Sequence, residues 1–215
     1  MDSPLDDENT YKQLTSDPLK RWQQSYNRKL KSLLFRDNPE LFKKFQSYLP
    51  SLPYMYGLPK IHKDGVPMRP ITSTRNSVSY NLASWLAKHL SPALGILSQS
   101  HLKDTCDFVN KIRSMNFSNK KLVSFDVESL FTKVPVKECI EILKNRIDDF
   151  NLNLPIPSST FVSLIEICIS ECYFVCNQRY FTQVDGLPMG SPLPPVFSNL
   201  FREYYESLLT NHSTF

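Results

Sequence analysis

The sequence predicts an α+β fold. Three observations carry that expectation. Apolar residues recur at intervals of three and four over several stretches of the 215-residue chain, the period of a helix packed along one side. Other stretches are short, rich in β-branched and aromatic residues and bounded by turn residues, as strands are. The two kinds of segment intermix without the regular alternation that builds a parallel sheet.

Taken in order, residues 1–16 are polar and acidic and read as a disordered lead. Ser16-Asp17-Pro18 supplies a capping side chain and a proline for the first helical position. Leu19, Trp22, Tyr26, Leu30 and Leu33 then form an amphipathic stripe. Asn38-Pro39-Glu40 opens a second, short helix that turns Leu41, Phe42, Phe45 and Leu49 inward. Pro50, Pro53, Pro59, Pro67 and Pro70 exclude a helix over 50–75, because proline removes a backbone donor and clashes with the preceding turn. Asp64-Gly65 marks a hairpin there, with arms at 56–61 and 67–72 that carry Lys60, Lys63 and Arg69.

Helical spacing returns over 80–97, with a break at Ser91-Pro92, and again over Thr105–Arg113. Residues 121–126 are near-continuously apolar and read as a strand buried on both faces. Helices follow at 136–147 and 159–171, the second capped by Ser158 or Ser159. Residues 173–176 and Arg179–Gln183 flank Asn177-Gln178 as a second hairpin. The last helix is expected over 191–209, with Phe197, Leu200, Phe201, Tyr204 and Leu208 on one stripe. Pro194 and Pro195 near its start remove two donors, so its entry is expected to shift.

Composition excludes several classes. Hydrophobic residues make up 41% and charged residues 21%, as in an ordinary globular protein. No apolar run reaches the length of a membrane span, so no membrane partner is expected. The start, MDSPLDDENT, is acidic and polar, unlike the basic and then apolar start of a secretory signal, so an intracellular location is expected. Cys168, Cys172 and Cys176 are spaced by four. Three thiolates on one helix face would make a metal site, but Cys176 falls beyond the helix end, and reduced, partly buried thiols fit better. The net charge of +4 is unevenly laid out: 1–19 carry −4, 20–75 carry +9 and 76–215 carry −1. The central block is either a solvated helix face or an electrostatic footprint for phosphates.

Three segments decide between those readings. Leu122-Val123-Ser124-Phe125-Asp126-Val127 runs an apolar strand into a single aspartate, with Phe131 five residues later. Tyr56-Gly57-Leu58-Pro59-Lys60-Ile61-His62-Lys63 and Met68-Arg69-Pro70-Ile71 place a cation on each arm of a hairpin. Gly186-Leu187-Pro188-Met189-Gly190-Ser191-Pro192 is a glycine-proline loop that opens a helix. In this order the segments resemble motif A, fingers motifs 1 and 2, and motif B of reverse transcriptases, most closely those of Penelope-like retroelements. The likeness spans roughly residues 15–210. One departure is Ser191-Pro192-Leu193-Pro194-Pro195, where the family reads Ser-Pro-Leu-Ser-Pro.

The resemblance implies the fingers and partial palm of a right-hand polymerase with an incomplete sheet, fingers-like over 17–120 and palm-like over 121–215. The implied activity is RNA-directed DNA polymerisation. The implied partners are an RNA template with a DNA primer, or an RNA–DNA hybrid, and a dNTP. Two Mg²⁺ ions serve such chemistry. By the same resemblance Asp126 is the catalytic and metal-binding carboxylate, and the main-chain carbonyl of Val127 is a second ligand. Lys60 and Arg69 contact the triphosphate, with Lys63 as the alternative to Lys60. Phe131 is a steric gate against a 2′-hydroxyl. Met189 and Gly190 pack on the nascent base pair. No aromatic-x-Asp-Asp motif follows the glycine loop before Phe215, so the chain alone is expected to be inactive and its sheet to have an open edge prone to self-association. The alternatives are a non-catalytic remnant that binds nucleic acid, and an unselected gene fragment.

Overall fold

A computed structural model describes residues 5, 7–96, 102–113, 115–116, 118, 123–124, 127, 134–184 and 186–212. Among them are seven α-helices and one five-stranded mixed sheet, so the α+β class is observed. In chain order these are β1 (Tyr11–Leu14), α1 (Leu19–Leu34), α2 (Pro39–Phe45), β2 (Tyr54–Pro59), β3 (Met68–Ser73), α3 (Tyr80–Leu90), α4 (Thr105–Arg113), α5 (Val136–Arg146), α6 (Ser158–Ile169), β4 (Cys172–Cys176), β5 (Arg179–Gln183) and α7 (Leu193–His212). Single 3₁₀ turns extend α3 over Ser91–Ala93 and α5 over Ile147–Phe150.

The sheet order is β1-β5-β4-β2-β3. All neighbours are antiparallel except β2 and β4, which meet in parallel through Tyr54 and Val175. Asn177 and Gln178 close the β4–β5 hairpin with φ of 47° and 61°, the left-handed pair that a two-residue turn requires. In the β2–β3 hairpin the turn residues Gly65 and Val66 also take positive φ. The observed arms begin two residues earlier on the first strand and one later on the second than the expected 56–61 and 67–72.

The core lies mainly among the helices. Along α1, Trp22, Tyr26, Leu30 and Leu34 are buried, a seam that advances by four residues and ends at Leu34, with Leu33 only half-buried. Against it pack Phe42 and Phe45 of α2, Leu82, Leu86 and Leu90 of α3, and Phe161 and Leu164 of α6. The Tyr26 hydroxyl donates to the Phe45 carbonyl at 3.0 Å, satisfying the one polar atom of that ring inside the core. A smaller cluster on one sheet face joins Tyr11, Phe174 and Phe181 to Met55 and Cys176.

Several expectations are corrected. Residues 11–14, expected in a disordered lead, form β1 and pair with β5 from Tyr11↔Gln183 to Leu14↔Tyr180, because Tyr11 buries its ring edge-on against Phe174. Neither Ser158 nor Ser159 caps α6; Pro157 precedes its first residue and makes no side-chain bond. Asp17 does accept from the Leu19 N–H at 2.8 Å. The last helix begins at Leu193 rather than Ser191, which puts Pro194 and Pro195 in the first turn, where no intrahelical donor is lost. On its inner face Glu203 is fully buried and accepts the Gly95 N–H with both carboxylate oxygens, at 3.0 and 2.8 Å, where the sequence pattern pointed to Tyr204. The expected strand at 121–126 lies mostly outside the described residues; Val123 and Ser124 are in neither helix nor strand, and Val123 is 63% exposed. No helix among the described residues is long and apolar enough to cross a membrane.

The close-set cysteines do not share a helix face: Cys168 lies on α6, and Cys172 and Cys176 are the first and last residues of β4. All five cysteines are free thiols. Burial pushes Cys139 and Cys172 up to about 12, and Cys168 higher still, so at pH 8 these groups hold far less thiolate than an ordinary cysteine. Timed alkylation at pH 8, followed by peptide mass mapping, is expected to label the exposed Cys106 first and Cys139, Cys168 and Cys172 last.

Two substitutions test the core. Leu30→Ala, at a fully buried position, is expected to cost about 2–5 kcal/mol in urea unfolding. Ser198 is 1% exposed, and its hydroxyl has no hydrogen-bond partner among the described residues. Ser198→Ala removes that unsatisfied atom and is expected to be neutral or to stabilise by up to about 1 kcal/mol in the same assay.

Candidate nucleic-acid interface

The β2–β3 hairpin stands out from the rest of the sheet in being exposed along most of its length. Tyr54, Met55, Tyr56 and Gly57 pair in turn with Ser73, Thr72, Ile71 and Pro70, and Leu58 with Arg69. Side chains alternate between the faces of a strand, so Tyr54, Tyr56, Leu58, Arg69 and Ile71 share one face. Tyr54 and Tyr56 are both exposed, with ring centroids 5.7 Å apart. Lys60 follows directly after β2; its N–H donates to the Pro67 carbonyl at 2.9 Å, and its own carbonyl accepts from the Lys63 N–H at 3.0 Å. The loop backbone is thereby tied down, with Lys60 half-buried and Lys63 and Arg69 exposed. Among the described residues, none of the three pairs with a carboxylate.

The glycine loop is held at both ends. Leu187 and Leu193 are fully buried, and Gly186 and Gly190 take positive φ. Between them the loop docks on β3. The Thr72 N–H donates to the Met189 carbonyl at 2.7 Å, and the Thr74 hydroxyl donates to the Gly190 carbonyl at 3.0 Å. Gly190 has φ of 116°, and a Cβ built there would lie 2.3 Å from the Thr72 carbonyl oxygen. The close approach that a glycine permits at this position is therefore to the protein's own strand. Met189 is half-buried beside it.

The structure thus seats Met189 and Gly190 against Thr72 of β3 and Thr74 just after it, remote in sequence, while Arg69, three residues before Thr72 on that strand, and Lys60 lie further out along the hairpin. It does not extend this to the third segment. Asp126 and Phe131 lie outside the described residues. Val127 is described, in neither helix nor strand, with an exposed side chain. Among the described residues, no three His, Cys, Asp or Glu side chains cluster as metal ligands do. Sequence reasoning missed Thr72 and Thr74, whose hydrogen bonds cross between distant segments. It also missed the tyrosine face, although aromatics at alternate positions of a strand were the signal for it.

No protein-family model matches the chain, and no curated protein is similar to it.

Gly190→Ala tests the docking. The added methyl meets backbone rather than a movable side chain and also imposes positive φ on alanine. The expected cost is about 2–4 kcal/mol in urea unfolding, beyond the usual cost of overpacking. Limited proteolysis is expected to show faster cleavage within the β2–β3 hairpin.

Proposed function

We propose that the chain is the fingers and partial palm region of a reverse transcriptase of the Penelope-like kind, handling an RNA template, a DNA primer and a dNTP. The observation that carries this reading is the seating of Met189 and Gly190 on β3, the strand that also carries Arg69. A polymerase needs its triphosphate-binding cations and the loop beneath the nascent base pair on one surface, and these two segments are remote in sequence.

In this reading Lys60 and Arg69 hold the triphosphate, Lys60 as a mobile point charge and Arg69 as a forked donor. Gly190 and Met189 set the floor on which the base pair rests, and Phe131 excludes a 2′-hydroxyl. The proposed metal donors, the Asp126 carboxylate and the Val127 carbonyl, are both hard oxygens, the donor type that Mg²⁺ takes. Bound Mg²⁺ supplies charge neutralisation at the triphosphate and activation of the primer hydroxyl. A second reading, binding of nucleic acid without catalysis, is favoured by the unpaired cations and exposed tyrosines of the hairpin, since phosphate contacts need charge alone.

Primer extension on an RNA template with Mg²⁺, beside Asp126→Ala, tests the first reading. Extension that disappears in the variant supports it. Binding of the RNA–DNA hybrid without extension leaves the second. Under either, Lys60→Gln/Arg69→Gln is expected to weaken hybrid binding roughly tenfold or more and to make the plot of log affinity against log salt shallower by about 1–2. Hybrid binding that ignores both salt and this double substitution would sink both readings.

A further inference from the structure

A second basic surface lies on α1, away from the hairpin. Arg21, Gln24, Ser25 and Arg28 sit at helical spacings of three, four and seven, on one side of α1 and facing away from its buried seam. They line an open groove of about 430 Å³ whose other wall is Glu171 and Tyr173, at the junction of α6 and β4. The groove holds its shape through two long-range links. Glu171 Oε1 accepts from Lys29 Nζ at 2.6 Å and from the Ser25 hydroxyl at 3.3 Å. Tyr173 packs edge-on against the buried Trp22, ring centroids 5.5 Å apart.

The charges within it are unequal. Glu171 is offset by Lys29, whereas neither Arg21 nor Arg28 has an ion-pair partner among the described residues. One turn of helix apart twice over, roughly 10 Å along the axis, the two guanidinium stems flank the groove. A guanidinium fork matches the oxygens of a phosphate. Tyr173 offers a half-buried ring, Gln24 an amide that both donates and accepts, and Oε2 of Glu171 an acceptor. The size falls within the range of small-ligand sites.

We propose that this groove binds a nucleoside phosphate, its phosphate between Arg21 and Arg28, its base against Tyr173 and its polar edge towards Gln24 and Glu171. The ligand comes either as a free nucleotide or as one unit of a single strand. The strand source has a path: Tyr173, Val175 and Tyr54 lie on one face of the sheet, leading from the groove to the hairpin. The site does not depend on the hairpin being a triphosphate clamp, and its test uses different residues.

The experiment compares Arg21→Gln/Arg28→Gln with Lys43→Gln/Lys44→Gln, a pair of exposed cations on α2 whose loss changes the net charge equally. Circular dichroism checks that both are folded. Affinity for a fluorescein-labelled oligouridine is read by anisotropy across a salt series, and AMP binding by equilibrium dialysis. The expected result is a loss of roughly tenfold in the α1 variant with a salt slope shallower by about 1.4, against a change below about twofold in the α2 variant. AMP retained by the native chain and lost in the α1 variant identifies a free-nucleotide site. A selective loss of oligouridine alone, with no AMP binding, identifies a strand unit. Equal weakening in both variants, or none in the α1 variant for either probe, overturns the proposal.

Discussion

Between Gly190 and the carbonyl oxygen of Thr72 there is no room for a side chain, and much of the candidate surface depends on that contact. It joins two parts of the molecule that are stabilised separately. The glycine loop is anchored in the helical core through Leu187 and Leu193. The hairpin belongs to the sheet, and most of its length is solvent-exposed. Two hydrogen bonds, from the Thr72 N–H and the Thr74 hydroxyl, carry the connection. Thr72 and Thr74 are both buried, so each bond forms away from water and its loss would leave an unsatisfied group.

The same contact bears on the edge of the sheet. β3 is one of the two outer strands, and an outer strand ordinarily offers a row of unpaired donors and acceptors to other chains. Here Pro70 has no N–H to offer and the Thr72 N–H is already taken by Met189. Proline on an edge strand is a common way of blunting it. The self-association expected from the sequence concerned a different strand, 121–126, which is not part of the described sheet.

Helix positions were legible because their signals are local. The α1 stripe, the proline at the start of α2 and the Asn177-Gln178 turn each need only a few neighbouring residues to be recognised, and each was found close to its predicted place. What was not legible depends on partners far along the chain. Tyr11 has little around it to mark a strand, and becomes one because Phe174 and Phe181 offer an apolar surface more than 160 residues later. Glu203 reads as the polar side of α7, yet it is buried and accepts the Gly95 N–H from a residue far earlier in the chain. At the candidate site, the residue types at Lys60, Arg69 and Gly190 were readable from motif and turn chemistry. The seating of the glycine loop on β3 was not, since it rests on the Thr72 and Thr74 bonds.

The attachment of the hairpin has a mechanical side. Its base is held by the Val175 N–H donating to the Pro53 carbonyl at 2.8 Å, by the Tyr54–Val175 pairing, and by the Thr72 bond to the glycine loop. From Leu58 through Arg69 the residues are exposed, apart from a half-buried Lys60, and they are held by ladder and turn bonds internal to the hairpin. This is a cantilever clamped at one end. A force on a clamped beam displaces the tip most and the root least. Displacing Lys60, out along the beam, therefore costs little, while Tyr54 and Thr72, at the clamp, stay in register with the core.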